Sequence, residues 1–322
     1  MGAPGLMERK GSHWPRLVGV EIDPWLRPEN CDLEYWLKEV TQGMLVGLRC
    51  GHAPELAVPE HMLAPGPLRS AMLKEFAYRH VAEELATRAI TYMVRHAPTL
   101  QTMDFYATQL LDEARHAAVF RGHLIELGLP KDGIVQTIDE IVGETRRTVL
   151  EPLERFALEV LEAGDFIGEV LVLTVIAEGV LAPAAEMSEY KWQVLDPLAS
   201  QICLGVNIDE TRHLAVGTAI IRHHLLERPA ERDRVQNIVD RGLALVSSLP
   251  MLDILIERET LFQKGLEQHR GLLEECQLVP GRRLADTTAE ERLLLQESWC
   301  SQVQDDRLRY MGLEPYSAST QT

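Results

Sequence analysis

The sequence predicts an all-α protein, a bundle of long helices with additional helices packed around it. Three observations point there. Aromatic residues make up only 6% of the chain while Leu, Ala, Glu and Arg abound, a balance that favours helix over sheet. Prolines beyond residue 68 fall mostly at the edges of long stretches with helical periodicity, and no run alternates with period two for long enough to suggest a strand.

Residues 1 to about 66 are rich in Pro and Gly, with one short helix expected from Leu33 to Leu48, and read as an N-terminal arm or lid laid over the rest. Helical stretches follow at roughly 68–95, 99–127, 131–164, 166–189, 192–228, 231–275 and 286–311, so residues 67–312 are assigned to the bundle and 313–322 to a polar tail.

Composition narrows the function classes. With 46% hydrophobic and 25% charged residues in 322, the chain is an ordinary globular mix rather than a disordered or disulfide-built one. A net charge of −17 repels phosphate backbones and anionic lipid heads, so no nucleic-acid partner is expected. Five cysteines, scattered and without a C-x-x-C pair, suit a reducing cytoplasm. The first residues carry no signal for secretion or lipid anchoring. The most apolar stretch, Phe166 to Ala185, is interrupted by Glu169, Thr174 and Glu178, so membrane insertion is not expected.

Two pentapeptides recur almost unchanged, Asp112-Glu113-Ala114-Arg115-His116 and Asp209-Glu210-Thr211-Arg212-His213, 97 residues apart. In a helix, Glu and His at i and i+3 project from one face. A Glu-x-x-His on each of two helices, with one Glu from each of two others, is the ligand set of a dinuclear carboxylate metal site in a four-helix bundle. One such motif alone is common on solvated helix faces; a duplicated one with correctly spaced partners is not.

The partners are present. Glu178 sits in Val170-Leu-Val-Leu-Thr-Val-Ile-Ala-Glu178, apolar nearly all round, where an isolated carboxylate costs several kcal/mol unless a proton or a cation compensates it. Upstream, Val81-Ala82-Glu83-Glu84 offers two candidates. Glu83 shares a face with Met72, Phe76, Thr87, Ile90 and Val94, whereas Glu84 shares one with Ala77, His80, Arg88 and Arg95, and the first face is the core-facing one. Glu83 to Glu113 spans 30 residues and Glu178 to Glu210 spans 32, so a helix, a turn and a returning helix bring each pair to one depth. Candidate metal ligands, catalytic through the metals, are therefore Glu83, Glu113, His116, Glu178, Glu210 and His213.

Metal-bound imidazoles usually give their second N–H to a carboxylate. Asp112 and Asp209 are expected to hold the histidine of the opposite helix, with Arg115 and Arg212 screening the aspartates. His80, His96, His123, His223 and His224 have no partner motif and read as surface or satisfied interior residues. Cys203 is a possible cavity residue, Thr87 and Thr174 are expected to bond their own helices, and Phe76, Phe120, Leu171 and Leu214 are the expected apolar lining.

At these residues the chain resembles the ferritin-like diiron-carboxylate oxidases and oxygenases. The doubled Asp-Glu-x-Arg-His, with Val-Ala-Glu83 thirty residues upstream, is similar to the motif of bacterial multicomponent methane and toluene monooxygenase hydroxylases. The resemblance covers about residues 70–220 and is specific for the site, not for the substrate. It implies a ferritin-like four-helix core, two iron ions bridged by Glu113 and Glu210, with manganese an option at one position, and dioxygen as co-substrate. Length and single-chain design look like stand-alone N-oxygenases of natural-product pathways, of the AurF and VlmB types. The AurF-type pattern has a further His one turn before the last Glu-x-x-His; here Val206 stands there, which leaves two histidines and argues against a close arylamine N-oxygenase.

The expected activity is oxidation of a small molecule, with N-oxygenation of an amine or hydrazine ahead of C–H hydroxylation or desaturation. Oxygen-rich donors suit iron or manganese better than zinc or copper. Electrons must come from an external reductase or ferredoxin, since the chain has neither a Rossmann glycine fingerprint nor an iron–sulfur Cys cluster. A homodimer is expected by resemblance. Iron storage and radical generation, the latter through Tyr106 two turns before Glu113, are the more distant alternatives.

Overall fold

A computed structural model describes residues 17–19, 21–40 and 50–316. Helix α1 (Pro67–His96) starts on a proline, whose missing N–H is one that a first turn leaves unpaired anyway, and stops short of Pro98. Helix α2 (Leu100–Glu126) is capped by Thr99, whose side chain accepts from the Thr102 N–H. The two form an antiparallel hairpin. A second hairpin pairs α4 (Phe166–Trp192) with α5 (Pro197–Glu227), which starts at Pro197 behind the Asp196 cap. These four helices are the core of the bundle.

The remaining helices cover it. Between the hairpins, α3 consists of Ile134–Thr145, a π-helical turn Arg146–Leu150 and Glu151–Glu162, with Pro152 just beyond the turn. Helix α6 (Arg232–Ser248) packs on the middle of α4, α7 (Met251–Gln268) on α1, and α8 (Ala289–Met311) on α4 and α5. A capping box at Thr288 and Glu291 starts α8, and Gly312, at φ 84°, closes it in the left-handed conformation that glycine adopts without strain.

Three sequence expectations need correction. The stretch 231–275 is not one helix: Leu249-Pro250 separates α6 from α7, because proline cannot continue the preceding helix. The chain also contains a small antiparallel pair, β1 (Gln277–Val279) and β2 (Arg282–Arg283), turning at Pro280 and Gly281 (φ 79°). Its strands are too short to show an alternation. In the arm, the expected Leu33–Leu48 helix is a single turn, Leu33–Tyr35, continued as a π-helical turn Trp36–Val40; residues 41–48 lie outside the described residues, as do Ser317 to Thr322 of the tail.

Helix α4 is long and apolar enough to cross a membrane by length and composition, but 88% of its most apolar window is buried inside the bundle. Its middle, Val172–Ala177, is π-helical and leads directly into Glu178. Pro183, farther along, removes the hydrogen bond that the Gly179 carbonyl would accept. Gly217 of α5 permits the close approach of this segment: a Cβ there would lie 2.1 Å from Thr174 Oγ1. Described parts of the arm lie along the bundle. The Leu17 N–H donates to Glu186 (3.0 Å), the Ala53 N–H to Gln201 (2.8 Å), and His61 Nε2 meets the Leu195 carbonyl at 2.8 Å.

A buried ion pair joins the two hairpins away from their centre. His123 of α2 is fully buried, with Nε2 2.9 Å from Asp196, the cap of α5, and Nδ1 3.0 Å from Glu126. Burial opposes its charge, yet Asp196 and Glu126 prevail and raise its pKa to about 9. A histidine raised in the folded state stabilises fully below its unfolded value of about 6.5, and the contribution fades as pH rises through about 9. His123→Gln should therefore lower the urea-unfolding free energy at pH 6 by about 2–3 kcal/mol, and its deficit against wild type should shrink towards pH 9.5. A deficit that stays constant with pH would show that His123 acts through packing alone.

Candidate metal centre

The duplicated motifs face each other across the bundle. Glu83 comes from the middle of α1, Glu113 and His116 from α2, Glu178 from the first α-helical residue after the π stretch of α4, and Glu210 and His213 from α5. Their donor atoms form two overlapping sets. Glu83, Glu113, His116 and Glu210 make one, and Glu113, Glu178, Glu210 and His213 the other; within each set the donor atoms lie within 4.8 Å of one another. Glu113 and Glu210 belong to both, the placement that bridging carboxylates need. Glu84 points elsewhere and pairs with Arg88 at 2.6 Å.

Both imidazoles turn Nδ1 inward. His116 Nδ1 is 3.1 Å from Glu113, 3.7 Å from Glu210 and 3.8 Å from Glu83. His213 Nδ1 is 3.0 Å from Glu113 Oε1, yet neither atom has a hydrogen-bond partner of acceptable geometry. Glu178 Oε2 and Glu210 Oε2 are likewise buried and without partners. Buried polar atoms without partners cost about 1–3 kcal/mol each, and cations between these four adjoining groups would satisfy them.

The outer nitrogens are held as the sequence reading expects. His116 Nε2 lies 3.1 Å from Asp209 of α5, and His213 Nε2 lies 3.3 Å from Asp112 of α2. Arg115 pairs with Asp209, Arg212 pairs with Asp112, and Arg212 also lies 3.6 Å from Asp209. Two further contacts had no sequence signal. The Trp36 indole N–H from the arm donates to both oxygens of Asp112 (3.1 and 3.2 Å), and Gln109, one turn before Glu113, donates to Glu178 Oε1 at 2.6 Å. A buried amide at i−4 from a ligand glutamate is the one clue that could have found Gln109.

Charge explains the titration of the site without metal. Burial and the neighbouring Glu113 raise Glu178 to about 8 and push Glu210 well above the usual carboxylate range; burial, against His116, raises Glu83 to about 7. Burial would raise Glu113 too, but the two flanking imidazoles win and hold it well below. His116 and His213 rise despite burial, His213 to about 10, because each lies between an aspartate and Glu113. Asp209 is lowered by Arg115, His116 and Arg212 against its burial. Without cations the cluster must retain protons on several carboxylates. Divalent cations would take the place of those protons, and the residues present fit a pair of them.

A cavity of about 520 Å³ adjoins the cluster, reached by Glu83, Glu113, Glu178 and Glu210. Its walls are mainly apolar and come from α1, α3, the π stretch of α4, and the α6–α7 junction. The expected lining of Phe76, Phe120, Leu171 and Leu214 is not what forms it, and Cys203 does not reach it; these five pack in the core, while Leu173, Ile176, Phe156 and Val206 line the space. Small residues Ala82, Ala86 and Ala89 on one face of α1 leave the volume open. Thr87 bonds its own helix through the Glu83 carbonyl. Outside the centre, His80 meets the Ala117 carbonyl, His96 meets Glu169, and His223 and His224 meet Glu227 and Glu231. Tyr106 is buried with its hydroxyl unpartnered, packed against Phe105 and Phe166.

No family model matches the sequence, and no curated protein matches it. Among solved structures, the chain is similar to a protein with aldehyde deformylating oxidase activity from Synechococcus, at 20% identity and a TM-score of 0.55. The match covers 79% of this chain and 94% of that one. The likeness is one of fold: the helical core is a ferritin-like bundle.

Plasma mass spectrometry on protein from iron-supplemented cells should find near two transition-metal ions per chain, and essentially none in the Glu113→Ala/Glu210→Ala variant. Asp112→Ala, which releases His213 and strands Arg212, should weaken metal binding by about 10–100-fold. Metal content unchanged in the double variant would place any bound metal elsewhere.

Proposed function

We propose that this chain is a non-haem diiron oxidoreductase that uses dioxygen to oxidise a small molecule. The observation that carries the reading is the pair of four-residue donor sets sharing Glu113 and Glu210, opening directly on a mainly apolar cavity. Four carboxylates and two imidazoles favour iron, with manganese as an option at one position. Bound as a reduced pair, iron would supply the activation of dioxygen. The protein supplies the rest. Asp112 and Asp209 fix the ring orientation and tautomer of the two histidines, Gln109 holds one oxygen of Glu178, and mainly apolar walls flank the reacting centre.

Within that class the finer proposal is N-oxygenation of an amine or hydrazine in a natural-product pathway. One oxygen atom enters the substrate and the other leaves as water. The two electrons required come from a reductase or ferredoxin outside this chain, and the two protons from solvent. The apolar lining favours a second reading, hydroxylation or desaturation at carbon, through the same site. The oxidase activity named for the Synechococcus protein supports the broad class. A storage role has no use for a substrate-sized cavity beside the ligands; pockets of about 300–1,000 Å³ are those that bind small molecules.

Iron-loaded protein, chemically reduced and mixed with dioxygen, should oxidise at least ten times faster than free ferrous iron under the same conditions. With a panel of amines, hydrazines and hydrocarbons, oxygen-18 from labelled dioxygen should enter the product. Label on nitrogen supports the finer reading and label on carbon the second. Oxidation no faster than in the Glu113→Ala/Glu210→Ala variant would overturn the enzyme reading.

A further inference from the structure

One end of the cavity is not apolar. Tyr78 and Arg79, one helical turn before Glu83 on α1, both line it. Arg79 Nη2 is engaged with the Ala184 carbonyl (3.0 Å), Ser188 (3.0 Å) and, more weakly, Glu75 (3.4 Å). Its Nε has no partner, and neither has the Tyr78 hydroxyl, although both atoms are buried. Both residues line the cavity with these two donors turned away from it and unpaired, so a polar ligand head at this wall would gain them as partners by a turn of either side chain.

Behind Arg79 lies a buried ion cluster with too few anions. Arg79, Lys191, Arg258 and Arg292 are all buried, and the buried carboxylates that pair with them are Glu75 and Glu259. Arg258 stands 3.8 Å from Glu75, and its Nε also lacks a hydrogen bond. Among the described residues, two cations are therefore in excess. Glu83 is a further carboxylate acting on Arg79, but it belongs to the metal set. An uncompensated buried charge costs several kcal/mol unless something supplies its counter-charge, and the cavity is the open space beside it.

We propose that the cavity binds an amphipathic carboxylate, its anionic head against Arg79 and Tyr78 and its apolar body along Ala82, Ala86 and Ala89 towards Phe156 and Leu161. A single added anion halves the charge excess, and the guanidinium offers donors in the planar arrangement that a carboxylate matches. The head would then sit one turn, ~6 Å along α1, from Glu83, which sets part of the body beside the carboxylate cluster. The proposal rests on reading this cavity as the substrate chamber of the oxidoreductase. It is tested by binding alone, so that it stands or falls separately from the metal chemistry.

The full-length, metal-free chain is titrated by calorimetry with dodecanoate, dodecan-1-ol and dodecylamine at pH 8. Dodecanoate should bind at least tenfold more tightly than the alcohol and the amine. Arg79→Gln should abolish that preference while leaving the alcohol unaffected, and Tyr78→Phe, which leaves the ion cluster intact, should weaken dodecanoate severalfold. Ala86→Trp, which fills the body of the cavity, should abolish binding of all three. Equal binding of acid and alcohol, no binding of any probe, or binding indifferent to Ala86→Trp overturns the proposal. If Arg79→Gln does not fold, a dodecanoate preference unchanged in Tyr78→Phe overturns it as well.

Discussion

Four glutamates and two imidazoles converging inside a helical bundle are the constraint on which the rest of the structure depends. Burying one carboxylate costs several kcal/mol, and burying four within a few ångströms adds their mutual repulsion. Burial, with this repulsion added to it, raises Glu83, Glu178 and Glu210, while the two flanking imidazoles hold Glu113 down. Cations would remove the conflict at its source, which no apolar repacking of the surrounding helices would do. The two Asp–His–Arg arrangements carry the compensation outward, since each aspartate faces an imidazole on one side and a guanidinium on the other. Metal bound there would link its affinity to folding through the same few contacts.

Holding six donors at one depth places demands on the backbone. The π stretch Val172–Ala177 shifts the helical phase just before Glu178, and Gly217 lets that wider segment lie close to α5. Local irregularity of this kind persists only where neighbouring packing over-determines it, and α6 packs on the same stretch. The arm contributes from the other side. Trp36 fills one acceptor direction at Asp112 that the helices leave open, so a segment outside the bundle helps position His213, two contacts away.

Much of this was legible because it follows from period and spacing. The 97-residue repeat, the helix phase of Glu83 against Glu84, and the apolar setting of Glu178 each depend on residues near in sequence, and helical geometry converts them directly into positions. The cavity lining was not legible, because Phe156, Leu161 and Leu249 reach it from α3 and the α6–α7 junction, elements whose packing no local pattern encodes. Phe76 and Phe120 stack edge to face at 4.9 Å in the core instead, where an apolar residue near a ligand face is equally at home. The Trp36–Asp112 and Gln109–Glu178 hydrogen bonds span 76 and 69 residues and leave no trace in composition. The same holds for the cationic cluster around Glu75 and Glu259, assembled from α1, α4, α7 and α8.

The duplication is imperfect, and its imperfections set the two halves of the centre apart. Gln109 stands four residues before Glu113, and Val206 stands four before Glu210. The amide in the first half clamps Glu178, whereas the valine in the second half makes no polar contact and lines the cavity instead. Glu83, whose side chain is 15% exposed against 1% for Glu113, is the ligand candidate with most room to move. Arg79, four residues before Glu83, has Thr174 as its counterpart before Glu178, and Thr174 is packed against Gly217. Glu178 is thus held by a hydrogen bond and by close packing one turn earlier, while the position that would clamp Glu83 in the same way is filled by Val206, so the two donor sets that face the cavity differ in how firmly they are held.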